Sequence, residues 1–248
     1  MEVKSSLNYN NFTMRHNIQE IIDASPAQHS LDWYRARLGH FTGSQVGRLM
    51  KKGRGKDAEW SADALTYIKE VVAERLLNPV VTTIDDYFQQ YLDLVNTSSK
   101  LMAWGVDNEM NALTTYTKLT GNIVSHCGSL PHESVQCFWD SPDGLLLNDN
   151  GVVEVKCPAP KTHAEYLINV KSPEDLQSVK PEYYWQAISH MAVTGAQFCD
   201  WMSYCPFSSK PLHVVRINRD QEAENQLHER VDAAEMMAQE MIEKADKS

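Results

Sequence analysis

The stretch SPDGLLLNDNGVVEVKCP, residues 141–158, decides how this chain is read. Two apolar runs, 145–147 and 152–155, flank an Asn/Asp/Gly turn, and that spacing predicts a β-hairpin. Asp143, Glu154 and Lys156 place charge where a small sheet ought to be apolar. If the turn pairs Leu147 with Val152, Leu145 lies opposite Glu154 and Asp143 opposite Lys156. Side chains alternate along a strand, so Glu154 and Lys156 share a face with Asp143, while Val153 and Val155 point the other way.

Asp143 and Glu154 are then diagonal neighbours, about 7–8 Å apart between Cα atoms. Two enclosed carboxylates repel each other and lose hydration, so one takes up a proton unless a cation compensates. Oxygen donors without histidine or thiolate favour magnesium or manganese over zinc. The Lys156 ammonium can orient or activate a water, or stabilise charge on a phosphoryl group in transfer. The plain alternative is a surface hairpin bearing a Lys/Glu pair. The preceding Pro142-Asp143 and the Val/Leu character of both strands weigh against it.

Upstream, residues 101–120 read as a strong helix stopped by Gly121, on which Glu109, Ala112, Leu113 and Tyr116 share one face. Glu109 is thus an acid on an apolar stripe: a helix-edge group reaching solvent, or, if the stripe packs on the hairpin, part of a metal site. Helices are also predicted over 17–23, over 31–38, from 42 or 44 to about 50, and over 57–77, with a weaker helical pattern over 84–95 and a loop at 96–100. Strands are expected at 123–127, 135–139, 198–204 and 212–217, and further helices at 162–170, 182–194 and 220–244. The order implies an α/β or α+β fold with one mixed sheet flanked by helices.

At 248 residues, with 42% hydrophobic and 23% charged residues, the chain fits a soluble single core, 17–248, behind a polar tail, 1–16. No apolar run reaches the roughly 20 residues of a membrane span. The tail lacks the pattern of a secretory signal, and five cysteines without a CxxC pair suit a reducing cytoplasm. A net charge of −10 argues against coating nucleic acid by bulk positive potential, although KKGRGK, residues 51–56, concentrates base in one loop. His126, Cys127, His132 and Cys137 match no common zinc spacing. Most tryptophans sit at core-like spacing rather than as stacking platforms.

The combination PDG with EVKCP resembles the PD-(D/E)xK nuclease motif. With WYRARLGHFTGSQV (33–46), AWGVDNEMNALTTYTKLTG (103–121) and YYWQAISHMAVT (183–194), it is similar to the lambda exonuclease and YqaJ-type viral recombinase family. The resemblance implies a PD-(D/E)xK restriction-endonuclease-like core and a Mg2+-dependent 5′-to-3′ exonuclease on linear double-stranded DNA. Two ions are expected, with Mn2+ able to substitute. It assigns Asp143, Glu154, the Val155 carbonyl and Glu109 to the metals, Lys156 to catalysis, and Gln186 to the active-site surroundings. Arg37 and Ser44, with Thr42 beside them, fall where the family binds a 5′ phosphate, and Arg54 where an arginine touches DNA. A homotrimeric ring, an annealing-protein partner and a place in phage-type recombination are further implications. Two departures stand out: 78–100 is longer than its counterpart, and Ile188 replaces a second glutamine. The competing readings are an endonuclease of the same superfamily and a noncatalytic DNA-end-binding scaffold.

Overall fold

The computed structural model describes residues 18–54, 59–95 and 100–247, without the side chains of Leu101 and Met102. The predicted tail, residues 96–99 of the predicted loop and part of the basic loop lie outside the described residues.

Capping decides where several helices begin. After α1 (Ile18–Ala24), Ser30 accepts the Trp33 N–H and opens α2 (Leu31–Arg37). Gly39, at φ +73°, turns the chain into β1 (Phe41–Thr42) and α3 (Gly43–Leu49). The helix predicted from 57 starts later, as α4 (Ala62–Arg75), because Ser61 accepts the Ala64 N–H and supplies the cap. Pro79 opens a short helix, α5 (Pro79–Thr83), where its missing N–H costs nothing. The weak pattern beyond it is helical, as α6 (Asp85–Val95). The insertion-like segment is tied back to α2: Arg35 donates to Thr82 O at 2.9 Å and pairs with Asp85, and its guanidinium lies over the buried Phe88 ring. α7 (Lys100–Thr120) ends at Gly121 with φ +79°.

The strands β2 (Leu130–Pro131), β3 (Phe138–Asp140), β4 (Gly144–Leu146) and β5 (Gly151–Lys156) follow. Next come α8 (Pro160–Asn169), α9 (Pro173–Val179) and α10 (Pro181–Thr194). The chain closes with β6 (Phe198–Tyr204), β7 (Leu212–Asn218) and α11 (Gln221–Asp246). α9 is an element that periodicity misses, held by a capping box between Ser172 and Asp175.

The fold is mixed α/β, as expected, with its strands in two sheets rather than one. The larger has the order β4-β5-β6-β7, parallel only between β5 and β6; the smaller is β1-β3-β2. The strand predicted at 123–127 reduces to a single bridge, Ser125 to Leu145.

The hairpin register also differs from expectation. Gly144 pairs with Val153 and Leu145 with Val152, so one further step puts Asp143 level with Glu154, not Lys156. The four-residue turn sits one residue earlier, at 147–150, with Asn150 at φ +55°, and the pairing offset changes by two. A two-residue shift preserves the faces, since only an odd slip exchanges them.

Those faces carry different cores. Val152, Cys199 and Trp201 pack with Ile188 and Met191 of α10 and with α3, α4 and α11. Leu146, Val153, Val155, Phe198 and Met202 pack with Ala112, Leu113 and Tyr116 of α7. Among the described residues, no helix is long and apolar enough to cross a membrane.

Candidate active site

β5 carries the centre. Glu154, 1% exposed, projects toward α10, where its two oxygens take different partners: Oε1 accepts from Lys156, and Oε2 lies 2.7 Å from His190 Nε2. Lys156 Nζ also donates to Gln186 Oε1 at 3.0 Å and lies 4.7 Å above the Tyr183 ring centre. Gln186 and His190 are one helical turn apart, which aims both at the same strand. Asp143 reaches across the hairpin end, and its Oδ2 accepts the Val155 N–H at 2.6 Å. N–H and C=O of one strand residue point to the same side, so the Val155 carbonyl faces the edge where Asp143 stands.

The charges are strongly coupled. Burial raises the Asp143 carboxyl well above the usual range, and the Glu154 and Glu109 charges push it further. Burial would raise Glu154 too, but Lys156 and His190 overcome it and bring it to about 2. Burial opposes charge on Lys156 and His190. Glu154 and Asp143 nevertheless raise Lys156, while Asp140 and Glu154 hold His190 at about 10.

Glu109 arrives from the other face. The stripe Ala112, Leu113 and Tyr116 does pack on the hairpin, but against Val153 and Val155. Glu109 itself lines a cavity of about 420 Å³ with His29, Met110 and His126, and burial followed by the Glu154 charge raises its carboxyl. Its link to the centre is through charge, with no direct bond to Asp143, Glu154 or Lys156 among the described residues.

A second cluster lies next to the first. Arg37 donates from Nη1 to Ser141 Oγ at 3.1 Å and from Nη2 to Ser44 Oγ at 3.2 Å, with its guanidinium 4.2 Å over the Trp33 ring. Trp33 Nε1 donates to the same Ser141 Oγ at 3.1 Å. Ser141, which pattern reading passes over, is two residues from Asp143 and fixes the two clusters to each other. Arg37 and Thr42 border a cavity of about 730 Å³, but Thr42 is buried, and its N–H donates to Tyr67 Oη at 2.8 Å. Arg54 is exposed after α3, and among the described residues no bond joins it to either cluster. Ile188 is fully buried, so apolar packing takes the place of a polar contact there.

Two of the four His and Cys residues between 126 and 137 have other roles: Cys127 Sγ donates to Pro142 O, and His132 Nδ1 accepts from Ser134 and Val135 N–H. All five cysteines are free.

Comparison with known proteins identifies the fold and the family. The chain matches an alkaline exonuclease, LHK-Exo, from Laribacter hongkongensis, at 29% identity and a TM-score of 0.71, over 88% of this chain and 97% of that one. LHK-Exo in complex with dAMP gives 30% identity and a TM-score of 0.72 over the same shares. A phage related exonuclease from Haemophilus somnus 129PT, 13% identical, shares the fold with a TM-score of 0.62, over 83% of this chain and 96% of that one. No protein of curated function matches. The fold class is thus that of the PD-(D/E)xK alkaline exonucleases. Residues 32–197 match the YqaJ-like viral recombinase domain, and the chain belongs to that family.

Proposed function

We propose that this protein is a Mg2+-dependent exonuclease that degrades the 5′-ended strand of linear duplex DNA and leaves 3′ single strands. The observation that carries the reading is the Arg37–Ser44–Ser141 cluster, fixed two residues from Asp143. A guanidinium flanked by hydroxyls suits a terminal phosphate, and its fixed offset from the acids would measure cleavage from an end.

The donors suit a hard divalent ion. Asp143, Glu154, the Val155 carbonyl and Glu109 offer oxygen only, and Asp143 is a carboxyl that a cation would relieve of its proton. Among the described residues no three His, Cys, Asp or Glu side chains form a ready cage. Magnesium, which keeps several waters, does not demand one. One or two such ions, with Mn2+ as a substitute, would supply Lewis acidity at the scissile phosphate and a water of lowered pKa. The protein's own part is positional. Lys156, held charged, spends N–H groups on Glu154 and Gln186 and keeps a third donor for the attacking water or a phosphate oxygen.

A homotrimeric ring enclosing the duplex would reconcile a net charge of −10 with DNA handling, since phosphate contacts are needed only along a channel. An annealing protein to receive the single strand, phage-type recombination as the setting and the cytoplasm as the location belong to the same proposal. The test compares linear duplexes bearing 5′-phosphoryl or 5′-hydroxyl ends with a covalently closed circle. Mg2+-dependent loss of the phosphorylated strand with an intact circle is expected. Cleavage of the circle would point to an endonuclease, and end binding without turnover to a scaffold. Sedimentation with and without DNA reads the subunit number.

A further inference from the structure

Two buried side chains stand between the carboxylate–lysine centre and the arginine–serine cluster. His190 Nε2 lies 2.7 Å from Glu154 Oε2, and its other ring nitrogen lies 2.7 Å from Asp140 Oδ2. Ser189 Oγ donates to that same Asp140 oxygen at 2.9 Å. Asp140 Oδ1 accepts the Ser141 N–H at 2.8 Å, and Ser141 Oγ accepts from Arg37. A line of hydrogen bonds therefore runs unbroken from the Arg37 guanidinium to the Glu154 carboxylate. Its middle is closed to water: Asp140 is 2% exposed, Ser189 and His190 fully buried. Its walls are tight as well, since a Cβ on Gly43 would stand 2.1 Å from Asp140 Oδ1.

The geometry points to His190 and Asp140 as a positioning pair, which fixes the orientation of the Glu154 carboxylate and ties it to the Arg37–Ser141 phosphate anchor. This rests on the nuclease reading above, and neither residue touches the reacting atoms. The physical need is specific. The terminal torsion of a glutamate is broad, so a carboxylate held at one oxygen turns easily. Without His190, Lys156 is the strong partner left to Glu154, and both oxygens can turn toward it, away from an ion. With His190 in place, one oxygen is committed to the ring, and the ring is itself held by Asp140. The α10 sequence spaces this partner one turn from Gln186, so a single helix face orients both Lys156 and Glu154.

The test compares the full chain with His190→Gln, the near-isosteric Asp140→Asn and the milder Ser189→Ala, each first shown to fold by a cooperative melt. Mn2+ binding to the DNA-free protein is read from the paramagnetic resonance of free Mn2+. Turnover is followed on a 5′-phosphorylated duplex over a range of Mg2+. The expected result is Mn2+ affinity weakened about 10- to 100-fold in the first two variants. Ser189→Ala should show a smaller shift in the same direction. Lost kcat should return as Mg2+ is raised, with KM for the DNA end unchanged, which a merely misfolded site would not show. Arg37→Ala combined with His190→Gln should cost less than the product of the two single effects. Unchanged Mn2+ affinity in folded Asp140→Asn, or independent multiplication of the Arg37 and His190 effects, overturns the inference. If the parent chain degrades no DNA, the nuclease reading falls, and the Mn2+ titrations alone decide the pair.

Discussion

The two faces of β5 are built from the same strand and serve opposite ends. Toward α7, Val153 and Val155 meet Ala112, Leu113 and Tyr116 in an apolar layer whose polar insertion is a closed group: Tyr116 Oη donates to Asp200 Oδ2 at 2.6 Å, and Arg216 holds both Asp200 oxygens. Toward α10, Glu154 and Lys156 meet Gln186 and His190, and charge is buried where side-chain alternation would allow apolar groups. Burying charge costs several kcal/mol per ion unless each group finds a partner, and here each one does. The α7 face contributes stability; the α10 face gives up some of it for a fixed arrangement of charges.

The sharpest way to separate the faces is Lys156→Ala. It should lower kcat about 100- to 1,000-fold, as removal of a fixed charge stabiliser does, in an assay of nucleotide release from linear duplex. Turnover that survives would break the assignment of chemistry to the α10 face. Leu113→Ala on the other face should cost about 2–5 kcal/mol in denaturant unfolding while the folded fraction keeps its activity. Loss of activity per folded molecule would show the faces to be less separate than described.

Asp143→Asn refines the picture through pH. The folded chain holds the Asp143 proton more tightly than the unfolded chain, whose carboxyl has its ordinary value of 3.8. The stabilisation is therefore complete below that value and is lost as pH rises through the raised one. An asparagine cannot ionise, so the metal-free variant should gain in melting temperature over the parent as pH rises through that window, although it loses turnover. A constant difference across pH would remove the raised carboxyl. The smallest effect is expected for Tyr116→Phe, about 1–2 kcal/mol without change in kcat, because Asp200 keeps Arg216.

Much of this was legible in the residues. Strand β6, the stripe on α7 and the pairing of two acids with a lysine all follow from local spacing, and local spacing is what a sequence displays. The hairpin was legible in its faces but not in its register, because alternation specifies parity while turn geometry sets the offset. The late start of α4 and the existence of α9 depended on individual caps that a periodic pattern overlooks. His190 had a signal available, its one-turn spacing from Gln186, but a histidine on a helix face is usually packing, and only the opposing acids distinguish it.

By itself the sequence determined the class of fold, the carboxylate–lysine motif and which side of β5 would carry it, since periodicity and residue chemistry are properties of adjacent residues. The tertiary structure alone decided that Asp140 and Glu154 share one histidine and that Ser141 joins Arg37 beside Asp143. It also set Glu109 within reach of the Glu154 charge, on a cavity shared with His29 and His126. Those relations join residues dozens of positions apart, and chain separation carries no trace of them: they exist only once the helices pack on the sheet and exclude the water that would otherwise have taken each partner's place.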